Sequence, residues 1–213
     1  KKHSIALLLL LVLLTGCGAK TEEAPWQTAY RETGKYLQEQ DALSAGSVGG
    51  EWAVIGLSRA GLLSDETAQS YEQTVEDYVK QAGSVRLHHA KSTENSRAIL
   101  GLTAAGYNAA NMAGVDLTAG LTDMAYLRAQ GTNGPIWALI ALDCHGYDIP
   151  QCADGEEQTT CEGLVAEILS YQCSDGGWAL MGDESDVDMT AMALTSLAPY
   201  QEETDIKAAV DAG

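Results

Sequence analysis

The chain has 213 residues, with 30 acidic side chains against 12 basic ones and a net charge of −18 at pH 7. So acidic a surface repels nucleic acid, and the sequence has no basic patch, which excludes nucleic-acid binding. Beyond an apolar N-terminal run, the remaining roughly 190 residues are enough for one domain with a sizeable core.

The N-terminal residues are typical of an export signal. Lys1 and Lys2 precede an uninterrupted apolar run of ten residues, IALLLLLVLL at 5–14. This run is too short to span a bilayer but suits the apolar region of a signal peptide. It ends in Leu-Thr-Gly-Cys at 14–17, which resembles the lipobox of bacterial lipoproteins.

The lipobox resemblance implies that the sulfur of Cys17 is acylated and that the chain is cut before it. Residues 1–16 would then be a lipoprotein signal peptide, and residues 17–25 a tether without apolar periodicity. We expect an extracytoplasmic protein whose partner is the bacterial cell membrane, to which lipid on Cys17 anchors it. A signal that is cleaved without lipidation, or a plain anchor, is the alternative.

Internal repeats organise the rest of the chain. Four segments share a pattern of small and apolar residues, and each is about one helix long and stopped by Gly or Pro near its end. Strand signals are nearly absent, so the pattern predicts an all-α array of helical hairpins. The segments are GEWAVIGLSRAGL (50–62), ENSRAILGLTAAGY (94–107), GPIWALIALDCHGY (134–147) and DVDMTAMALTSLAPY (186–200).

Longer helices are predicted between these segments, with a period typical of stacked helix pairs. Ser64 has the character of an N-cap, Thr159 and Glu162 have capping-box spacing, and Pro135 suits a first helical turn. We predict four hairpins and the start of a fifth at 204–213, and expect the array to continue further. The longer helices should start near residues 27, 65, 117, 160 and 204.

Two motifs connect these repeats to a known group of folds. Gly50-Glu51-Trp52 and the stretch Gln172-Cys-Ser-Asp-Gly176-Gly177-Trp178 resemble the Gln…Gly-x-Trp repeats of squalene and terpene cyclases and of protein prenyltransferase β subunits. The chain is also similar to bacterial surface proteins related to cobalamin carriers. The resemblance implies a partial α/α toroid over residues 26–213, and its motif residues are Trp52, Gln172, Gly176, Gly177 and Trp178.

These motif residues have a structural interpretation. A glycine pair lets the backbone turn tightly between two helices, and the indole that follows buries a large apolar area while its N–H requires an acceptor. A glutamine at the end of one helix can satisfy free backbone groups at the start of the next. We therefore predict that both tryptophans and Gln172 serve the scaffold.

Asp186 and Asp188 are the candidate catalytic residues. DVDMTA resembles the Asp-x-Asp-Asp-Thr-Ala motif of class II terpene cyclases, in which the middle aspartate, here Asp188, donates a proton. Met189 replaces the third carboxylate, and a chain without Phe offers few aromatic walls for a carbocation. We instead predict that Ser185-x-x-Asp188 is a capping box with Asp188 at its third helical position.

Metal sites are not predicted. The zinc motif of the prenyltransferases requires a His where Met189 stands and an Asp-x-Cys pair that the chain lacks. Asp183, Asp186 and Asp188 could gather around calcium, but the Gly and Glu of an EF-hand loop are missing. We expect neither a metal nor a cofactor.

Four cysteines lie within thirty residues of one another: Cys144, Cys152, Cys161 and Cys173. Outside the cytoplasm such a cluster favours disulfides, of which three pairings are possible. A bond between Cys161 and Cys173 is excluded if, as we expect, the two bracket a helix about 18 Å long. Zinc binding would need a tighter C-x-x-C spacing.

The sequence therefore favours a tethered binding module over an enzyme. Its ligand would be a small apolar or corrin-like molecule in the mouth of the toroid, or a surface polymer at its rim. The alternatives are a class II cyclase-like enzyme that uses Asp188 as its proton donor, and a structural spacer of a larger surface protein.

Overall fold

The computed structural model describes residues 24–40, 43–47 and 49–213. The predicted signal peptide, nearly all of the tether and the predicted lipidation site Cys17 lie outside the described residues. The chain divides into two compact units, residues 1–36 and 37–213, and the predicted repeat domain takes in all of the second.

Helix α1, Pro25–Gln38, belongs mainly to the first unit. It begins at the last residue of the predicted tether, because proline suits the first turn of a helix, where an N–H would lack an intrahelical partner. Its aromatic side chains Trp26 and Tyr30 are exposed.

The four predicted repeat segments form four helices of the second unit that pack in chain order. These are α2 (Gly50–Arg59), α4 (Thr93–Ala104), α6 (Asn133–Asp143) and α8 (Val187–Leu197). Helix α2 contacts α4, α4 contacts α6, and α6 contacts α8, so the repeat segments build one row. Gly101 of α4 leaves room for a side chain from outside the row, because a Cβ there would lie 2.2 Å from the hydroxyl oxygen of Tyr71.

Other helices pack against members of this row. Helix α3 (Asp65–Ala82) contacts α2, α5 (Met124–Arg128) and α7 (Cys161–Ser170) contact α6, and α9 (Thr204–Ala212) contacts α8. Ser64 caps α3 as predicted, since its side chain accepts a hydrogen bond from the N–H of Thr67. Pro135 lies in the first turn of α6, also as predicted.

The predicted long helix near residue 117 is wrong. This stretch forms a 3₁₀ helix, Leu117–Leu121, followed by the short α5. The side chains of Asp116 and Asp123 each accept a hydrogen bond from a backbone N–H two residues further on, which starts two separate turns. Aspartate competes with helical hydrogen bonding in this way, so the segment breaks in two.

The described part of the chain has no β-strand; three isolated bridges are its only extended pairing. The prediction of an all-α protein is therefore confirmed. None of the helices among the described residues combines the length and the apolar character needed to cross a membrane.

Candidate functional site

A pocket of about 520 Å³ opens where α2, α4 and α6 begin. Trp52, Glu94 and Asn133 lie in the first turns of these three helices, so their N-terminal ends meet at one place. The volume lies within the range of small-molecule sites. The pocket is lined by Gly46, Trp52, Lys91, Thr93, Glu94, Arg97, Gln130, Asn133 and Trp137.

Two indoles stand side by side in this pocket. The ring centroids of Trp52 and Trp137 are 5.1 Å apart at an interplanar angle of 58°. Trp52 is 38% exposed, and neither indole N–H has a hydrogen-bond partner among the described residues. Indole N–H groups in scaffold positions usually find an acceptor, so these two remain available to a ligand. The prediction that Trp52 buries its side chain in the scaffold is wrong, because it faces a cavity open to water.

The charged residues of the pocket partly neutralise one another. Arg97 donates a hydrogen bond to Glu94 at 2.6 Å, within one helical turn. The hydroxyl of Tyr78 lies 3.5 Å from the same carboxylate oxygen. Lys91, in contrast, is exposed and makes no ion pair with any described residue. Considering the described residues alone, the pocket thus offers one cation without an ion-pair partner, Lys91, beside the compensated pair of Glu94 and Arg97.

Gln130 organises the start of α4 from the following repeat. Its side-chain oxygen accepts hydrogen bonds from the N–H of Thr93 at 3.0 Å and from the hydroxyl of Ser92 at 3.1 Å. These contacts supply an acceptor for a backbone donor that the helix itself leaves unpaired. Sequence reasoning missed this residue, although Gln130 and Gly134 repeat the spacing of Gln172 and Gly176.

Glu51 lies almost fully buried next to the pocket, with 1% of its surface exposed. One carboxylate oxygen accepts a hydrogen bond from the N–H of Gly46 at 2.6 Å, while the other has no partner among the described residues. Burial raises the pKa of Glu51 above its ordinary value, although the Gly46 hydrogen bond and the charge of Arg97 oppose the rise. The hydroxyl of Tyr71, in the same charged neighbourhood, also lacks a partner.

We expect the Glu51→Gln variant to change how stability depends on pH. Because folding raises the pKa of this carboxyl, its contribution is fully present below its ordinary pKa of 4.5 and is lost as pH rises through the higher folded value. The variant, which cannot ionise, should match the wild type near pH 4 and become more stable than it as pH rises through the folded pKa of Glu51. Urea unfolding of both proteins at a series of pH values measures the difference, and a constant difference would contradict the assignment.

In comparisons with known proteins, no family model, curated protein or solved structure matches the chain.

The second tryptophan motif has the structural role that was predicted. Trp178 is fully buried, and its indole N–H donates to the carbonyl of Ile168 at 2.8 Å. Gly176 has a φ of +96°, and a Cβ on Gly177 would lie 2.7 Å from that of Ser185. Only glycine adopts the first conformation freely, and nothing larger fits at the second position.

Gln172 acts differently from its prediction. Its side-chain amide donates to two carbonyl oxygens, those of Gly176 at 2.7 Å and of Ala209 at 2.9 Å. It therefore ties its own turn to the last part of α9 and does not satisfy the N–H groups at the next helix start. At the start of α8, Asp186 satisfies a backbone N–H instead.

Asp186 is the N-cap of α8, and its carboxylate accepts a hydrogen bond from the N–H of Met189 at 2.8 Å. The predicted capping box is therefore displaced by one residue: Ser185 instead donates to Asp175 at 2.7 Å, and Asp188 is exposed. Thr190 accepts a hydrogen bond from the N–H of Trp178. Asp186 and Thr190, which match the cyclase motif, thus join α8 to the preceding turn.

Replacing the two aspartates separately should distinguish these positions. Asp186→Ala removes the cap and should lower the free energy of unfolding by about 1–2 kcal/mol. Asp188→Ala removes only an exposed carboxylate near the positive end of the helix and should cost at most about 0.5 kcal/mol. Urea midpoints at constant slope measure both values, and a larger cost for Asp188→Ala would contradict this assignment.

The same displacement occurs at α7. Thr160, and not the predicted Thr159, caps this helix by accepting a hydrogen bond from the N–H of Gly163 at 2.9 Å. Thr159 is fully buried, and its backbone N–H donates to Thr122 at 2.8 Å, which turns it away from the helix start.

The possible disulfides are not formed in the structure, which has all four cysteines free. Cys144 directs its thiol to the carbonyl of Ala141 in its own helix, and Cys152 directs its thiol to Glu156 in its own loop. Cys161 and Cys173 flank α7, as predicted. Burial raises the pKa of the Cys144, Cys161 and Cys173 thiols, which disfavours their reactive thiolate forms.

The acidic residues considered for calcium form no metal site. Both carboxylate oxygens of Asp183 accept hydrogen bonds from Ser174, at 2.8 and 2.9 Å. Asp186 is engaged as a helix cap, and Asp188 is exposed in the first turn of α8. No metal-binding group of His, Cys, Asp and Glu was found among the residues that the structure describes.

Proposed function

We propose that this protein is an extracytoplasmic bacterial lipoprotein that binds a ligand without transforming it. Lipid on Cys17 anchors it to the membrane, and its repeat domain is a partial α/α toroid of the cyclase and prenyltransferase type. The lipobox at 14–17 and the packing of four repeat helices in one row support these two parts of the proposal.

One observation carries the binding function: two indoles share an open pocket, and neither N–H has a partner in the part of the chain that the structure describes. A tryptophan pair that lines an open pocket leaves apolar surface in water, and this surface would stabilise the fold if it were buried. Trp178 is the buried alternative in the same protein. Clustered aromatic side chains with a few polar groups are typical of ligand sites. The pocket therefore favours a binding module over a structural spacer.

The alternative enzymatic function gains no support from Asp188. A carboxyl that protonates an alkene has to be neutral, which requires burial away from water. Asp188 is exposed in the first turn of α8, and its partner Asp186 is engaged as a cap.

Tryptophan fluorescence of the full chain tests binding. We would titrate it with three probes of different chemistry: hydroxocobalamin, squalene in detergent micelles, and chitotetraose. At least one should give a saturable change that is lost in Trp52→Ala and Trp137→Ala and retained in Met181→Ala, which removes an exposed apolar side chain outside this pocket. If none of the three probes causes a fluorescence change that depends on Trp52 and Trp137, the binding function is contradicted.

Membrane anchoring has a separate test. The full-length protein, expressed in a bacterial host, should fractionate with membranes and carry a lipid-sized mass increase at its N-terminus. Cys17→Ser should abolish the lipid modification and release the chain from the membrane fraction. An unmodified, freely secreted wild-type chain would contradict the anchoring.

A further inference from the structure

We propose that the Trp52–Trp137 pocket takes a pyranose ring of a neutral saccharide. The apolar C–H face of the ring would rest on an indole, and its hydroxyls would meet the polar rim. This inference rests on the proposed binding function and narrows its ligand class.

The aromatic part of the pocket suits a ligand with one apolar face. The ring planes of Trp52 and Trp137 are inclined at 58° to each other, so the two indoles form a corner. They do not form a parallel slot that could hold a planar ring system between them. Trp52 remains partly exposed, which leaves indole surface for a small ring to cover. Covering it gains apolar burial without any rearrangement of the scaffold.

The polar part of the pocket argues against a wholly apolar ligand. Seven of its nine lining residues are not aromatic, and Lys91, Glu94 and Arg97 are charged. A terpenoid pressed into this site would remove water from these groups without replacing its hydrogen bonds, which is costly. Saccharide hydroxyls both donate and accept, so they replace the lost water contacts.

Several donors remain free for such hydroxyls. The side-chain amide of Asn133, the ammonium group of Lys91 and both indole N–H groups lack partners among the described residues. Gln130, by contrast, is engaged with the start of α4. The free groups belong to residues that line the same pocket, so they are available to the hydroxyls of a ring that rests on an indole.

Charge favours a neutral saccharide over an acidic one. Glu94 is compensated by Arg97, so the pocket itself carries little net charge apart from Lys91. The whole chain has a net charge of −18, which repels an anionic polymer as it approaches. A neutral ring avoids this repulsion and still accepts hydrogen bonds from Lys91.

Isothermal titration calorimetry of the full chain with maltotetraose, cellotetraose and chitotetraose tests the proposal. At least one should bind, and Trp52→Ala, Trp137→Ala and Asn133→Ala should each weaken binding about tenfold or more. Met181→Ala should bind like the wild type. Far-ultraviolet circular dichroism and urea midpoints of each variant would show that the loss is not caused by unfolding.

The outcomes separate this inference from the proposed function. If hydroxocobalamin or squalene binds in a manner dependent on Trp52 and none of the three saccharides does, the saccharide class is wrong while the binding function stands. If neither group of probes binds through the two tryptophans, both are wrong. Saccharide binding unaffected by Trp52→Ala, Trp137→Ala and Asn133→Ala would also overturn the assignment of the pocket.

Discussion

Replacing Trp178 by alanine is expected to lower the free energy of unfolding by about 3–5 kcal/mol, the usual cost of removing a buried tryptophan. The side chain is fully buried, and the carbonyl of Ile168 loses the hydrogen bond that the indole N–H donates. Because a domain of this size has a total stability of roughly 5–15 kcal/mol, a loss of this kind should leave the fold marginal. Equilibrium unfolding in urea would measure it.

Trp52→Ala is the matched control for this prediction. Its side chain is partly exposed, its N–H has no partner among the described residues, and its ring contacts that of Trp137. The expected cost is smaller, about 1–3 kcal/mol, because a partly exposed side chain loses less apolar burial, to which the aromatic pair adds about 0.5–1.5 kcal/mol. Where Trp178→Ala fails to fold, Trp178→Phe keeps most of the packing and remains measurable. Equal costs at Trp52 and Trp178 would remove the distinction between scaffold and pocket tryptophans.

Asn95→Ala should also cost about 3–5 kcal/mol, because it leaves three backbone groups without this partner, two of them in fully buried hydrogen bonds, at about 1–3 kcal/mol each, not fully additive. The side-chain oxygen of Asn95 accepts a hydrogen bond from the N–H of Leu87 at 2.9 Å. Its amide donates to Val85 at 2.6 Å and to Leu117 at 3.0 Å. One fully buried side chain therefore joins α4 to the loop before it and to the 3₁₀ helix that follows.

Two further variants sharpen the test at this position. Asn95→Asp keeps the shape but turns a charged acceptor towards two carbonyls, so it should destabilise the protein as severely as alanine does. Asn108→Ala removes an exposed side chain that caps only a short 3₁₀ helix and should cost at most about 1 kcal/mol. Thermal or urea unfolding compares all three, and a mild effect of both Asn95 variants would contradict the role of this side chain.

Helix content and order could be read from local patterns. The small and apolar residues at 50–62, 94–107, 134–147 and 186–200 predict four helices, and all four form and pack in chain order. Ser64 was recognisable as a cap because it is a favoured N-cap residue and because Asp65 and Glu66 supply the acidic first turn that follows it. These features depend on neighbours within a few residues.

Cap positions at α7 and α8 were each misplaced by one residue for a tertiary reason. Thr159 and Thr160 have the same side chain, and both Ser185 and Asp186 are good caps. The choice depends on distant partners: Thr159 is held by Thr122, and Ser185 is held by Asp175. No local pattern contains that information.

The predicted and the observed roles differ most for the tryptophans. Trp52 and Trp178 follow similar glycine motifs, yet one lines a pocket and the other fills the core. Trp137, Glu94 and Arg97 carry no motif of their own, and they join Trp52 only because α2, α4 and α6 begin at the same place. The amino-acid sequence near each residue does not indicate that these three helix ends come together.

The sequence alone therefore determined that this protein is an array of short helices, because the period of small and apolar residues is a local property that each segment expresses by itself. Only the tertiary structure decided which side chains face a cavity, since that depends on which helix ends come together in space. The packing of α2, α4 and α6 places Trp52, which the sequence had assigned to the scaffold, beside Trp137 at a pocket, and the site follows from that packing.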